Sequence, residues 1–229
     1  MSRKSPKSAQ PETAGLADGT TLVIDSATEA CSVALLGDGE VIASDWRLLG
    51  RGHAEQLVPM IAALPGKGRA DRIAVALGPG SFTGVRVGLA AARALALAWN
   101  ARLVGYPTLA LIAAQARAEA GEVPVTVAIT GGHGEWFVQD FAANGLPASE
   151  LASLPAALAA EAACAELVAG NQAEALVALR GRGRAMDLRS DARAWPRLPA
   201  ALSSEDTAPL YGRAPDARLP GGITPPDPL

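Results

Sequence analysis

The stretch GPGSFTGVRVG, residues 78–88, follows a short apolar run and precedes a long segment of helix-forming residues. Its glycines allow positive φ angles and close backbone approach, which predicts a tight strand-to-helix turn. Ser81 or Thr83 can cap the helix by accepting a hydrogen bond from a backbone N–H. The N-terminus of a helix also attracts anions, so a phosphate-binding loop is the alternative to a turn without a ligand.

The two standard phosphate-binding motifs do not fit this stretch. A P-loop has the pattern GxxxxGK[ST], in which the lysine reaches the phosphates, but here Val85 follows Gly84. A dinucleotide-binding fingerprint reads GxGxxG, whereas Gly78, Gly80 and Gly84 give GxGxxxG, on the fourth predicted strand rather than the first. The spacing therefore favours a capped turn that remains compatible with an anion.

The segment after this turn predicts a helix over residues 84–99 with a ridge of small side chains. Gly84, Gly88, Ala92 and Ala96 recur at four-residue steps and so share one face. A helix that is apolar nearly all round must be buried on more than one side. Two interpretations stay open: a central core helix of this chain, or a helix that docks against another chain.

The composition describes a chain of 229 residues that suits one large domain or two small lobes. Hydrophobic residues make up 49% and aromatic residues only 4%, which favours alanine-rich helices in close packing. The net charge of −3 does not indicate nucleic-acid binding by the chain alone. No signal peptide is visible, and Arg93 interrupts the longest apolar run, so we expect a cytoplasmic protein.

Periodicity and turn signals predict an α/β protein of two lobes. Residues 1–19 form a predicted disordered tail, residues 20–110 an N-terminal lobe, and residues 111–229 a smaller C-terminal lobe whose tail packs back. Strands are predicted at 21–25, 31–37, 40–46, 72–78, 101–106, 123–130, 135–143 and 166–171. Helices are predicted at 52–64, 84–99, 107–120, 151–164 and 172–181.

Groups that carry catalysis are sparse. His53 and His133 are the two histidines and belong to no metal-binding motif, so no metal site is predicted. Cys31 lies within a strand pattern and is expected to be a buried apolar residue rather than a nucleophile. Asp25 ends the first strand, where α/β proteins place functional carboxylates, and Glu29 is near it, but such a pair is nonspecific.

Four segments carry a family resemblance. LVIDSATEACSVALL at 22–36, GRGHAEQLVPMI at 50–61, the block from 75 to 113 that contains the glycine-rich turn, and APLYGRAPDARLP at 208–220 resemble the TsaB (YeaZ) family. The resemblance covers most of residues 20–220. It implies an actin/Hsp70/sugar-kinase-like (ASKHA) fold with two related lobes of mixed sheet and covering helices.

The resemblance also implies a function. It implies the dimerisation subunit of the machinery that adds threonylcarbamoyl to N6 of adenosine 37 in tRNA. Such a subunit has no catalytic residue and no metal of its own; it pairs with TsaD, recruits the ATPase TsaE through that complex, and meets tRNA there. An adenine nucleotide at the complex interface and a homodimer of the isolated chain are compatible with it.

The resemblance implies two sets of site residues. The partner interface comprises His53, Leu57, Met60, Ile61, Leu64, Val85, Gly88, Leu89, Ala92, Leu95 and Ala96. The degenerate counterparts of nucleotide-cleft loops comprise Asp25, Ser26, Thr28, Gly78, Gly80, Ser81 and Thr83. One segment departs from the family pattern, because Thr130, Gly131 and Gly132 stand where many relatives have Asp-Ala-Arg, while Glu135 remains.

Two enzymatic alternatives compete with the subunit hypothesis. A sugar-kinase-like ATPase would use Asp25 and the glycine-rich turn. A peptidase would need a nucleophile such as Ser81, but no histidine neighbours this serine in the sequence and no GxSxG motif surrounds it.

Overall fold

The computed structural model describes residues 19–212, which form two lobes with one five-stranded sheet each. The first sheet contains β1 Thr20–Asp25, β2 Ala30–Gly37, β3 Glu40–Leu48, β4 Arg72–Ala76 and β5 Arg102–Tyr106. Its strand order is β3-β2-β1-β4-β5, with β1, β2 and β3 antiparallel and β4 and β5 parallel to β1. Helix α1, His53–Ala63, precedes β4, and α2, Phe82–Trp99, joins β4 to β5.

The second lobe repeats this plan. Helix α3, Thr108–Ala120, leads into a sheet of β6 Val125–Gly132, β7 Glu135–Phe141, β8 Ala152–Pro155, β9 Leu167–Ala169 and β10 Arg184–Met186. The strand order β8-β7-β6-β9-β10 matches that of the first sheet, strand for strand and direction for direction. Helices α4, Ala156–Ala162, and α5, Ala173–Arg180, occupy the places of α1 and α2 in the chain. The predicted fold of two related α/β lobes is thus confirmed.

The small-residue ridge of α2 faces the chain's own first sheet. A Cβ atom on Gly84 would lie 2.1 Å from the carbonyl oxygen of Ser26, and one on Gly88 would lie 2.6 Å from the Ser26 hydroxyl. Ala92, one turn further, is fully buried. For this face, the core-helix interpretation is correct. Ser81 caps the helix by accepting a hydrogen bond from the Gly84 N–H, so α2 begins at Phe82, two residues earlier than predicted.

The predicted helix at 151–164 is wrong in its first part. Residues Ala152–Pro155 form β8, which pairs antiparallel with β7, and the helix covers only Ala156–Ala162. Leucine and alanine favour a helix when taken alone, but the open edge of β7 offers backbone hydrogen bonds that outweigh this preference. Pro155 then occupies the N-cap position of the helix, since a proline N–H is not needed there.

The chain returns to the first lobe after β10. We call residues 187–212 the return segment. The Ala192 N–H donates to the Ser32 hydroxyl at 3.0 Å, and Ser204 and Gly105 exchange two backbone hydrogen bonds at the edge of β5. Leu210 donates to the Leu77 carbonyl at 2.8 Å, beside the glycine-rich turn. Two predicted segments lie outside the described residues: residues 1–18 of the predicted N-terminal tail, and the part of the predicted C-terminal tail beyond residue 212.

Helix α2 is long and apolar enough to cross a membrane by length and composition, with 18 residues and a mean hydropathy of 1.2. The sequence does not predict a membrane span here, because Arg93 interrupts the apolar run. In the fold, α2 packs one face on β1 and β4, and Arg93 donates to the Thr207 carbonyl in the return segment. A helix that covers a sheet satisfies the same length and composition criteria, so this is weak evidence for a membrane span.

Replacing Gly84 with alanine tests the contact between α2 and β1. In an ordinary helix interior this change stabilises by up to about 1 kcal/mol. Here the added methyl group meets the Ser26 carbonyl, so we expect a loss of about 1–3 kcal/mol in the free energy of unfolding, measured by urea denaturation. Ala94→Leu on the exposed side of α2 is the control and should change stability by less than about 0.5 kcal/mol. A stabilised Gly84→Ala variant would contradict the close contact.

Candidate functional site

Two loops meet at the carboxyl ends of β1 and β4. Because these strands are parallel neighbours, the loop after Asp25 and the loop after Ala76 lie at the same edge of the sheet. The Ser81 N–H donates to the Ala27 carbonyl at 2.7 Å, and the Ser26 hydroxyl donates to the Gly84 carbonyl at 2.9 Å. A Cβ atom on Gly80 would lie 2.0 Å from the Ala27 oxygen. The two predicted cleft loops are therefore in direct backbone contact.

This contact occupies backbone donors of the glycine-rich turn. A phosphate cradle needs backbone N–H groups that point at the anion. Here the Ser81 N–H is bonded to Ala27, the Gly84 N–H to the Ser81 hydroxyl at 3.2 Å, and the Val85 N–H to the Ser81 carbonyl at 2.9 Å. These three donors are engaged by other groups of the chain, and the Ser81 cap confirms the prediction of a capped turn.

Asp25 lies beneath the two loops and is fully buried. Its Oδ1 accepts a hydrogen bond from the Ala27 N–H at 3.0 Å, while Oδ2 has no hydrogen-bond partner among residues 19–212. Burial raises the pKa of this carboxyl group to about 7; the Ala27 N–H opposes the rise, and nearby Asp191 adds to it. At neutral pH, Asp25 therefore exists in both protonation states.

A cavity of about 910 Å³ opens between the lobes. The first lobe contributes the loop after β1 and the start of α2, the second lobe contributes the turn between β6 and β7, and the return segment closes one side. Its lining includes Thr28, Glu29, Ser81, Phe82, Arg86, Thr130, His133, Leu210 and Tyr211. Three of the seven predicted cleft residues line this cavity, namely Thr28, Gly80 and Ser81, while the other four, Asp25, Ser26, Gly78 and Thr83, do not.

Glu29 joins the lobes beside the cavity. Its carboxylate accepts hydrogen bonds from Asn171 at 2.8 Å and from Arg189 at 2.9 Å, and Asn171 also donates to the Thr130 hydroxyl at 3.2 Å. The Thr28 and Ser190 hydroxyls pair at 3.1 Å. We call these contacts the interlobe latch. Sequence reasoning gave Glu29 no specific role and missed its partners, which lie 142 and 160 residues away along the chain.

Most of the predicted interface residues are buried within the chain itself. His53, Leu57, Met60, Ile61 and Leu64 of the α1 region are buried, as are Val85, Gly88, Leu89 and Ala92 of α2. Leu95 and Ala96 are partly exposed. Apolar spacing identified the inner faces of both helices, because a helix buries its apolar stripe in its own core first. Whether a partner covers these helices stays a prediction, and their outer faces carry other residues.

The remaining candidate groups have structural roles. The ring of His53 hydrogen-bonds with the Ala30 carbonyl at 3.3 Å. Burial raises the pKa of Cys31 to about 12, so this residue remains a thiol, as expected of a buried apolar residue. Within residues 19–212, no group of three or more His, Cys, Asp and Glu side chains is placed to hold a metal ion.

Comparison with known proteins identifies the family. A family model described as TsaD, tRNA N6-adenosine threonylcarbamoyltransferase, matches residues 47–179, more than half of the chain. The Escherichia coli tRNA threonylcarbamoyladenosine biosynthesis protein TsaB is 40% identical over 125 residues, which cover 52% of this chain and 54% of that protein. The chain belongs to this family, in its TsaB (YeaZ) branch. The resemblance noted in the sequence is thus confirmed.

Other relatives agree with this assignment. TsaB of Haemophilus influenzae is 39% identical over 99 residues, 41% of this chain and 42% of that protein. The chain thus spans about half the length of the curated TsaB relatives that it matches. The solved structure of YeaZ from Pseudomonas aeruginosa is 28% identical, with a TM-score of 0.70 over 84% of this chain and 99% of that one. A second P. aeruginosa structure, of an uncharacterized protein similar to peptidase YeaZ, gives a TM-score of 0.72 at 29% identity over 85% and 99% of the two chains.

The buried Asp25 predicts a specific pH dependence. Its folded pKa of about 7 lies above the ordinary value of 3.8, so the folded state holds its proton more tightly and stability falls as pH rises between these values. Asp25→Asn keeps an oxygen for the Ala27 N–H but cannot ionise. Its stability relative to the parent chain should therefore increase from pH 5 to about pH 7 and then level off, by about 2–3 kcal/mol in all at about 1.4 kcal/mol per pH unit.

Urea denaturation across this pH range measures the difference. The exposed Asp206→Asn, in the return segment, is a matched control and should run parallel to the parent chain. An Asp25→Asn variant whose relative stability is independent of pH would show that the carboxyl group titrates normally.

Proposed function

We propose that this chain is a noncatalytic dimerisation subunit in the N6-threonylcarbamoylation of adenosine 37 in tRNA. It pairs with the transferase TsaD, recruits the ATPase TsaE through that complex, and meets tRNA there. The observation that carries the proposal is the family membership, since the E. coli and H. influenzae relatives are both named as tRNA threonylcarbamoyladenosine biosynthesis proteins. A cytoplasmic location is part of the same proposal.

The outer faces of α1 and α2 support a partner-binding role. Val58 on α1 is 57% exposed and Leu97 on α2 is 86% exposed. Small exposed residues continue these stripes at helical spacing: Ala54 and Ala62 on α1, and Ala90, Ala94 and Ala98 on α2. We call these seven residues the helix face. Apolar side chains on two neighbouring helices gain most if another protein covers them. A second copy of this chain would compete for the same surface.

The contacts within the two cleft loops, and the residues at the turn between β6 and β7, support a role without catalysis. In the first lobe, the Ala27 carbonyl takes the Ser81 N–H that a phosphate would otherwise use. In the second lobe, Thr130 and two glycines stand in place of the family's Asp-Ala-Arg, and Glu135 accepts a hydrogen bond from Ser153 on the neighbouring strand at 2.7 Å. In this proposal an adenine nucleotide belongs to the interface with TsaD.

Charge on the helix face should block pairing without unfolding the chain. We expect Leu97→Arg and Val58→Asp each to weaken binding to TsaD at least tenfold, because each buries an unpaired charge in the complex. Isothermal titration calorimetry with purified TsaD measures the affinity, and circular dichroism confirms folding.

Leu158→Arg is the matched control. Leu158 is 49% exposed on α4 of the second lobe, so the same change in charge falls outside the helix face and should leave the affinity unchanged. Equal affinity of the Leu97→Arg variant and the parent chain would place the partner elsewhere. No binding of the parent chain to TsaD would overturn the proposed function.

A further inference from the structure

We propose that the mouth of the interlobe cavity binds an unpaired nucleobase together with its phosphate. The base stacks against Phe82 and Tyr211, and Arg86 neutralises the phosphate. This inference rests on the proposed function, in which tRNA reaches the complex, and it gives the chain a direct contact with the RNA.

Two exposed aromatic rings mark the cavity mouth. Phe82, the first residue of α2, is 56% exposed, and Tyr211, in the return segment, is 49% exposed. Their ring centroids are 5.8 Å apart and the ring planes are tilted by 34°. Among residues 19–212 only one other aromatic side chain, Trp46, is exposed. A chain with 4% aromatic residues thus places two of these three at one cavity, although burying them would be favourable. Exposed rings next to each other are the usual platform for unpaired bases.

Arg86 provides the charge that a phosphate requires. Its guanidinium carbon lies 3.5 Å above the centre of the Phe82 ring, and its Nη2 donates to the Tyr211 hydroxyl at 3.4 Å. No carboxylate pairs with Arg86 among the residues that the structure describes, whereas Arg189 and Arg193 both form ion pairs. The carboxylate of Glu29, across the cavity, is neutralised by Arg189. The cavity mouth therefore presents the positively charged guanidinium of Arg86 stacked on an aromatic ring. Such a group suits a phosphate that is attached to a base.

The cavity has the size and polarity for such a ligand. Its volume of about 910 Å³ lies in the range of small-molecule sites. The turn between β6 and β7 also lines this cavity and contributes Gly132, where a Cβ atom would meet nothing within 4 Å. The Thr130 hydroxyl lies on the same side and accepts from Gln172 at 2.8 Å. The wall that this turn forms therefore offers open backbone and a hydroxyl group within the same cavity as the rings.

Ring-specific substitutions separate stacking from general packing. Two leucine variants, Phe82→Leu and Tyr211→Leu, keep the apolar volume but remove the planar ring. Two aromatic variants, Phe82→Tyr and Tyr211→Phe, keep the planar ring. The probe is a fluorescently labelled anticodon stem-loop RNA, titrated with the full-length chain and, separately, with its complex with TsaD, and read by fluorescence anisotropy. We expect about tenfold weaker binding for each leucine variant and near-parental binding for each aromatic variant. Leu48→Ala, which removes an exposed apolar side chain on β3, should bind like the parent chain.

The role of Arg86 has its own readout. Arg86→Gln should weaken RNA binding and reduce the slope of log affinity against log salt by about one, as for the loss of one phosphate contact. The leucine variants should leave this slope unchanged, because stacking releases no counterion.

The source of the base is distinguished by competition. Displacement of the RNA by AMP at comparable concentration would assign the site to free nucleotides, whereas displacement only by unlabelled RNA would assign it to an RNA strand; either outcome supports the site. Parental RNA affinity in both leucine variants, or no binding of RNA and AMP to the parent chain, would overturn it. Pairing with TsaD is measured independently on the helix face, so failure of the RNA contact is distinct from failure of the proposed function.

Discussion

The first lobe depends on a backbone contact between the end of β1 and the start of α2. The Ala27 carbonyl accepts the Ser81 N–H, and the Ser26 carbonyl lies where a side chain on Gly84 would be. Only glycine at positions 80 and 84 permits this approach without displacing backbone atoms. The contact sets α2 close to the sheet and turns its ridge of small residues inward. It also leaves the opposite side of a largely apolar helix exposed, which supports the proposal of a partner at this face.

The same device recurs in the second lobe. A Cβ atom on Gly170, directly after β9, would lie 2.1 Å from the carbonyl oxygen of Ala128 in β6, and Gln172 donates to that carbonyl at 3.2 Å. Strand β9 is the counterpart of β4, and β6 is the counterpart of β1. The helices nevertheless differ, since α1 and α2 have 11 and 18 residues whereas α4 and α5 have 7 and 8. The shared contact fixes the sheet and helix geometry of each lobe, and helix length decides which lobe offers an extended outer face.

The sequence predicted those parts of the fold that local chemistry determines. The apolar run at Thr21–Asp25 is the central strand of its sheet, Asp38 and Gly39 form the turn between β2 and β3, and Pro107 precedes α3. The direction of the α2 ridge could not be predicted, because glycine and alanine allow close approach of either the chain's own sheet or another protein. Strand β8 was missed for a similar reason: its pairing depends on the open edge of β7, which composition does not reveal. The Glu29 contacts of the interlobe latch join residues 142 and 160 positions apart, beyond any spacing rule.

Two sets of contacts shape the cleft: the interlobe latch, and the hydrogen bonds between the loops that follow β1 and β4. The ion pair between Glu29 and Arg189 is partly exposed, and such pairs are worth up to about 1 kcal/mol, whereas the hydrogen bond between Thr28 and Ser190 is buried. Helix α2 contributes to both surfaces, because Phe82 at its start lines the cavity and Leu97 near its end belongs to the helix face. Arg86 and Arg93, further along the same helix, contact Tyr211 and Thr207 of the return segment. A ligand that moves these side chains therefore acts on the helix whose outer face is proposed to meet the partner. Coupling between two sites on one helix needs no catalytic step, only that each ligand binds better to one arrangement of the helix than to another.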